Sequence, residues 1–195
     1  MLGVDYSFGK PGGKIIKEQG YEFVARYLST PLNSKNLTKD ELQDLQANGL
    51  KVVLVWETTT GRPLQGYGAG CDDALMAKHL VNALGIEVGL LRELPVIYFA
   101  CDDDFTTEQL KDIQSYFQGI NTVLSKSKVG VYGGVNTVGA MFDADLVTYG
   151  WQTAAWSNGD IDDRAQLYQS KDGEPVLNGV QCDTNESQKD DFGQF

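Results

Sequence analysis

The sequence lacks any uninterrupted apolar run of the ~18 residues needed to cross a bilayer, so no transmembrane span is expected. It is short of basic residues: 16 Lys and Arg stand against 27 Asp and Glu, a formal net charge of −11. Nucleic acid and anionic lipid are therefore excluded as main partners, because both are bound through clustered cations. Proline is sparse at 5 residues while glycine reaches 22, a balance that does not suggest a disordered or collagen-like chain. The cysteines, Cys71, Cys101 and Cys182, are odd in number and far apart, with no C-x-x-C. Neither a zinc cluster nor a disulfide framework is expected; free thiols in a reducing compartment are. The opening Met1-Leu2-Gly3-Val4-Asp5 has no charged n-region and no apolar h-region. Synthesis in the cytoplasm without a signal peptide is expected.

What is present suits a globular protein, with 42% hydrophobic and 22% charged residues over 195 positions. No linker or repeat divides residues 1–195, so a single domain is expected. Strands are expected at residues 2–5, 23–28, 51–56, 95–102 and 128–132. The patterns Thr38-x-x-Glu41 and Thr106-x-x-Gln109 open helices, the second with Leu110, Ile113, Phe117, Ile120 and Leu124 in one stripe. Ala74, Ala77, Leu80, Val81 and Leu84 keep helical spacing, and a weaker helix is expected from about Asn136 to Phe142. Between them lies an expected long loop from Thr58 to Gly70, whose Gly66-x-Gly68-x-Gly70 reads as a flexible lid, not a phosphate cradle. Residues 149–154, 165–169 and 179–183 read as strands joined only by turns.

About five β/α units followed by three strands lacking helices define an α/β fold of mostly parallel strands. Eight strands favour a barrel over an open sheet. A full (β/α)₈ barrel takes about 250 residues. This chain is shorter by roughly the missing helices, so an incomplete TIM-type barrel is expected.

Chemistry in such a barrel gathers where strands end and loops begin. The first strand ends in Asp5, the third in Glu57, the fourth in Asp102-Asp103-Asp104 and the last in Asp183. The second carries Arg26, the fifth ends at Tyr132, and the sixth offers Trp151 and Gln152. Asp102 and Asp104 share one side of an extended chain, and crowding raises one carboxyl of such a pair toward neutral pH. Glycosidic cleavage uses that arrangement: one acid for the leaving oxygen, and a second carboxylate as base, nucleophile or stabiliser. Tyr98, Tyr132, Trp151 and Tyr67 are candidate surfaces for sugar rings. Simpler roles stay open. Asp104 would also suit a helix N-terminus, Asp102 with Asp104 a Mg²⁺ or Ca²⁺ ion, and Glu57 a pairing with Arg26.

Six motifs then occur in order: Gly3-Val4-Asp5-Tyr6-Ser7, Val55-Trp56-Glu57, Tyr98-Phe99-Ala100-Cys101-Asp102-Asp103-Asp104, Gly130-Val131-Tyr132-Gly133, Trp151-Gln152-Thr153 and Cys182-Asp183-Thr184-Asn185. Together they resemble the glycoside hydrolase-like family known as domain of unknown function 1906. That family is similar in turn to the lysozymes of glycoside hydrolase family 25. The resemblance implies a barrel of five β/α units with three further strands, and a cleft for peptidoglycan or a related glycan. It places Asp5, Asp102 with Asp104, and Asp183 where the lysozymes carry an Asp, an Asp-x-Glu and an Asp. Asp104 thus replaces the proton-donating Glu, with its carboxyl about 1 Å further back. Glu57, which the lysozymes lack, is a substitute acid.

The expected function is a glycoside hydrolase, a muramidase-like peptidoglycan hydrolase of the phage or prophage endolysin type. It would act on the cell wall as a monomer, with no metal and no cofactor. Asp104 or Glu57 is expected as acid, Asp102 as its partner, and Asp5 on the floor. Asp183, Arg26, Tyr98, Tyr132, Trp151 and Gln152 are expected to bind the sugar. Two alternatives stand beside this reading: a non-catalytic cell-wall glycan-binding module in the same cleft, and a glycosidase acting on another polysaccharide.

Overall fold

Strands whose side chains alternate between two apolar environments can close on themselves, one face filling the barrel and the other meeting the helices. The structure, a computed structural model, describes residues 1–87, 93–171 and 173–195. Strands β1 (Leu2–Asp5), β2 (Phe23–Leu28), β3 (Lys51–Trp56), β4 (Ile97–Ala100), β5 (Val129–Gly133), β6 (Tyr149–Thr153) and β7 (Leu167–Gln169) run parallel, each paired with the next. β8 (Val176–Leu177) and β9 (Val180–Gln181) form a separate hairpin. β10 (Asp183–Ser187) then closes an eight-stranded barrel, antiparallel to both β7 and β1.

Helices α1 (Gly13–Glu18), α2 (Lys39–Ala47), α3 (Gly66–Leu84), α4 (Thr107–Asn121) and α5 (Val135–Asp143) follow the first five strands in turn. Among the described residues no helix follows β6. Both capping patterns work as read: Thr38 accepts from the Glu41 amide, and Thr106 with Gln109 closes a reciprocal capping box.

Two expectations change. Residues 179–183 are not one strand, because Val180 and Gln181 belong to the hairpin and the barrel strand begins at Asp183. Asp183 therefore opens a strand instead of ending one. Since β10 runs backwards, Asp183 still reaches the same mouth, in register with Asp5. The second change concerns Gly66, Gly68 and Gly70, which form the first turns of α3 and not a lid. A Cβ on Gly70 would stand 1.9 Å from the Tyr116 carbonyl oxygen, and one on Gly119 2.1 Å from that of Tyr67. Those glycines let α3 and α4 meet backbone to backbone.

The barrel interior holds Phe23, Ala25, Val53, Val55, Tyr98, Trp151 and Leu167, all buried. Small residues oppose the large ones: a Cβ on Gly3 would fall 2.4 Å from the Phe23 ring, and one on Gly130 2.5 Å from the Tyr98 ring. At the closed end, Phe192 plugs the barrel, its ring centroid 4.9 Å from that of Phe23. Its carbonyl accepts the Tyr98 hydroxyl at 2.9 Å. All three cysteines are free, with Cys101 and Cys182 buried and Cys71 half-buried.

Candidate active site

At the open end, side chains from β1, β2, β7 and β10 converge on Asp5. Asp5 is buried and accepts from the Tyr27 hydroxyl (3.1 Å), Gln169 Nε2 (2.9 Å) and Asn185 Nδ2 (2.8 Å). The two amides are oriented by their other partners. The Trp151 indole N–H can only donate, so Asn185 must turn its oxygen to it, at 2.9 Å, and its NH₂ to Asp5. The Tyr132 hydroxyl donates to Gln169 Oε1 at 2.7 Å, which aims Gln169 Nε2 at Asp5 and, at 3.4 Å, at Asp183 Oδ2. Burial pushes the Asp5 carboxyl up to about 6, with the Asp183 charge adding to the rise and the three donors opposing it.

Three further carboxylates surround this hub. Asp183 is half-buried and raised by desolvation, then by the Glu174 charge. Asp102 is likewise half-buried and raised, first by desolvation and next by the Glu57 charge, while the Lys35 ammonium opposes the shift. Glu57 itself pairs with Lys35, whose ammonium lies 4.3 Å above the centre of the Tyr27 ring. Beside Asp5 and Asp183 opens a cleft of about 540 Å³, walled by Ser7, Phe8, Val180 and Gln181.

The structure thus brings Asp5, Glu57, Asp102 and Asp183 to one mouth. Asp104 stands apart from these four in being exposed. β4 stops at Ala100, so strand alternation no longer governs residues 102–104. The Asp104 amide donates to Asp103 Oδ1 at 2.8 Å, and both side chains are exposed just ahead of α4. Arg26 is also elsewhere. It lies on the helix-facing side of β2, fully buried, with Nε donating to Glu41 Oε1 at 2.7 Å and Nη1 to the Tyr6 carbonyl. Strand parity decides this: Ala25 and Tyr27 face inward, so Arg26 cannot. Gln152 shares that outer face on β6, tying down a turn through the Asp160 carbonyl and the Asp162 amide, each at 2.8 Å. Tyr98 is sealed within the core. Trp151 is buried beneath the mouth, and Tyr132 stands half-buried against it with ring centroids 4.8 Å apart. Tyr67, at the start of α3, is exposed.

Sequence reasoning missed Tyr27, Lys35, Gln169 and Asn185. Parity would have found Tyr27, as the inward neighbour of Arg26. Asn185 stands in the Cys182-Asp183-Thr184-Asn185 motif, two residues from Asp183 and hence on the same face. Gln169 ends its strand as the acids do. Lys35 lies in a loop, and no local pattern points to it.

A barrel with buried and half-buried carboxylates gathered at one mouth has the architecture of the glycoside hydrolase-like class. Within that class, the chain belongs to the family described as "Rv2525c-like, glycoside hydrolase-like domain", whose profile matches residues 14–187. It is 28% identical, over 204 aligned positions, to Rv2525c of Mycobacterium tuberculosis, a proposed peptidoglycan hydrolase, covering 98% of this chain and 82% of that protein. The crystal structure of that Tat-secreted protein with L-tartrate superposes with a TM-score of 0.90, covering 99% of this chain and 98% of the other. More distant likenesses show the fold alone. The modular autolysin LytC of Streptococcus pneumoniae, solved with a synthetic peptidoglycan ligand, gives a TM-score of 0.64 at 15% identity, covering 94% of this chain and 46% of that one. A family 25 glycosyl hydrolase from Bacillus anthracis gives 0.59 at 12% identity, covering 97% and 89%.

Proposed function

We propose that this protein hydrolyses the glycan strands of peptidoglycan, with Asp102 as the general acid. One observation carries the reading: Asp5 and Asp183, from separate strands, line a single cleft, and Asp102, half-buried and near enough to feel the Glu57 and Asp183 charges, has its proton held more tightly than usual. A carboxyl that holds its proton more tightly than usual is suited to protonate a leaving glycosidic oxygen. Asp5 and Asp183, held side by side by Gln169, supply negative charge beneath the sugar as positive charge develops on it. Glu57, tied to Lys35, shapes the field around Asp102. Rv2525c is described as Tat-secreted and LytC as an autolysin, so action on the wall from outside belongs to this proposal. Neither relative supports the phage-lysin setting.

Digestion of purified Gram-positive peptidoglycan, read by mass spectrometry of released muropeptides, tests the assignment. Asp102→Asn is expected to slow release by about 10²–10⁴-fold, the usual worth of a positioned acid. Asp104→Asn, an exposed change, is expected to stay within about threefold of wild type, well short of that loss. Equal activity of wild type and Asp102→Asn would remove Asp102 from the mechanism. A second reading, binding without cleavage, is favoured by the exposure of Asp104, the residue that the resemblance puts in place of the lysozyme acid. Retention on sacculi with no product from wild type selects it.

A further inference from the structure

Phe8 presents an aromatic ring to solvent from a loop that is tied on both sides. The loop after β1 is pinned on one side by Arg26, which donates to the Tyr6 carbonyl, and by the Tyr6 hydroxyl, which donates to Glu41 Oε1 at 2.9 Å. On the other side, Asn178 in the β8–β9 turn donates from Nδ2 to the Pro11 carbonyl at 3.1 Å. Between these points, Val180 packs so closely that its methyl carbon lies 2.6 Å from where a Cβ on Gly9 would stand, and Gly9 itself has φ +81°. Only glycine suits that place on both counts.

The loop is therefore fixed against the hairpin, yet Phe8 at its tip is 66% exposed. Isolated exposed apolar side chains are common and mean nothing alone. Phe8 differs from Leu75, 57% exposed on the outer face of α3, because it walls the cleft whose floor holds Asp5 and Asp183. An apolar face above a carboxylate floor suits a ligand with two kinds of surface. A pyranose ring is such a ligand: its C–H face packs on an aromatic ring, and its hydroxyl edge seeks acceptors and donors. Ser7 and Gln181, on the same wall, offer the polar groups for that edge.

We infer that Phe8 is the platform on which one sugar ring of the substrate lies, above the Asp5–Asp183 floor, in a subsite walled by the β1 loop and the β8–β9 hairpin. The inference rests on the glycan reading above and names the residue that binds for it. The ties at Tyr6, Gly9 and Pro11 favour ring-face contact by limiting how much of the loop must be ordered on binding.

Binding of purified Gram-positive sacculi, measured by co-sedimentation across a sacculus titration, decides the matter. Asp102→Asn serves as parent, so that turnover does not consume the probe. Adding Phe8→Ala is expected to weaken binding about tenfold, equivalent to ~1.4 kcal/mol, with the melting temperature unchanged. Phe8→Trp is expected to restore it, and Leu75→Ala to leave it as in the parent. If Phe8→Ala binds as the parent does, the platform is overturned while the glycan reading stands. A parent that does not sediment with sacculi, together with a wild type that releases no muropeptides, overturns the glycan reading and the platform with it.

Discussion

Asp5 accepts three hydrogen bonds and is still short of the stabilisation that bulk water would give its charge. Burial, the largest cause, carries its pKa from 3.8 up to about 6. Because the folded-state value lies above the unfolded one, the folded protein binds the extra proton between these limits. The stability contributed by neutral Asp5 is complete below about pH 4 and is lost as pH rises through 6, a fall of about 3 kcal/mol. Asp102 and Asp183 are raised too and act in the same direction. Asp5→Asn fits the site, since its oxygen can take the Gln169 and Asn185 donors while its NH₂ meets the Tyr27 hydroxyl oxygen. Urea unfolding of both proteins from pH 4 to 7 is expected to show the variant gaining on wild type as pH rises. A pH-independent difference would place the titration elsewhere. Of the acids at this mouth, Asp5, Glu57 and Asp102 are legible at or just past strand ends, whereas Asp183 opens its strand. Asp102 and Asp104 were not separable, because alternation applies only while the strand lasts, and β4 ends at Ala100.

Elements with a strong local signal were read correctly from their own residues, as the Thr106–Gln109 capping box and the stripe of α4 show. No local pattern marks α1: at Gly13–Glu18 it is too short to develop an apolar stripe. The glycines of α3 misled, since glycine signals a loop locally while its actual use here lies across space, against α4. Gly70→Ala tests that use. Its new methyl would overlap the Tyr116 carbonyl, an atom of rigid backbone, so α3 and α4 must separate. The expected cost is at least about 2 kcal/mol, in the range of overpacked cores, visible as a lower midpoint in thermal or urea unfolding. Gly68→Ala, where nothing lies within 4 Å of the added carbon, is the control and is expected to be neutral or slightly stabilising.

For the molecule as a whole, the count of eight strands was enough to foresee a barrel, and the reversed eighth strand was not foreseeable. Direction is set by how the chain returns, and residues 173–182 return through a hairpin instead of a helix. The plug was equally hidden, because nothing local marks Phe192 as the residue that meets Phe23 and Tyr98 from the far end of the chain. Phe192→Ala would open a cavity beneath the barrel, and a loss of about 3–5 kcal/mol is expected in equilibrium unfolding. A change below ~1 kcal/mol would mean that the closed end collapses around the gap without cost.

Both chain ends meet at that plugged end. The Met1 ammonium donates to Ser187 Oγ at 2.8 Å, and Phe195 exchanges two backbone hydrogen bonds with Val52 at the foot of β3. Anything joined to either end, whether a resin, a dye or a second module, therefore leaves from the side opposite the carboxylates. A surface coated with this protein through its tail would present every mouth outward, each one open to a polymer too large to diffuse behind it.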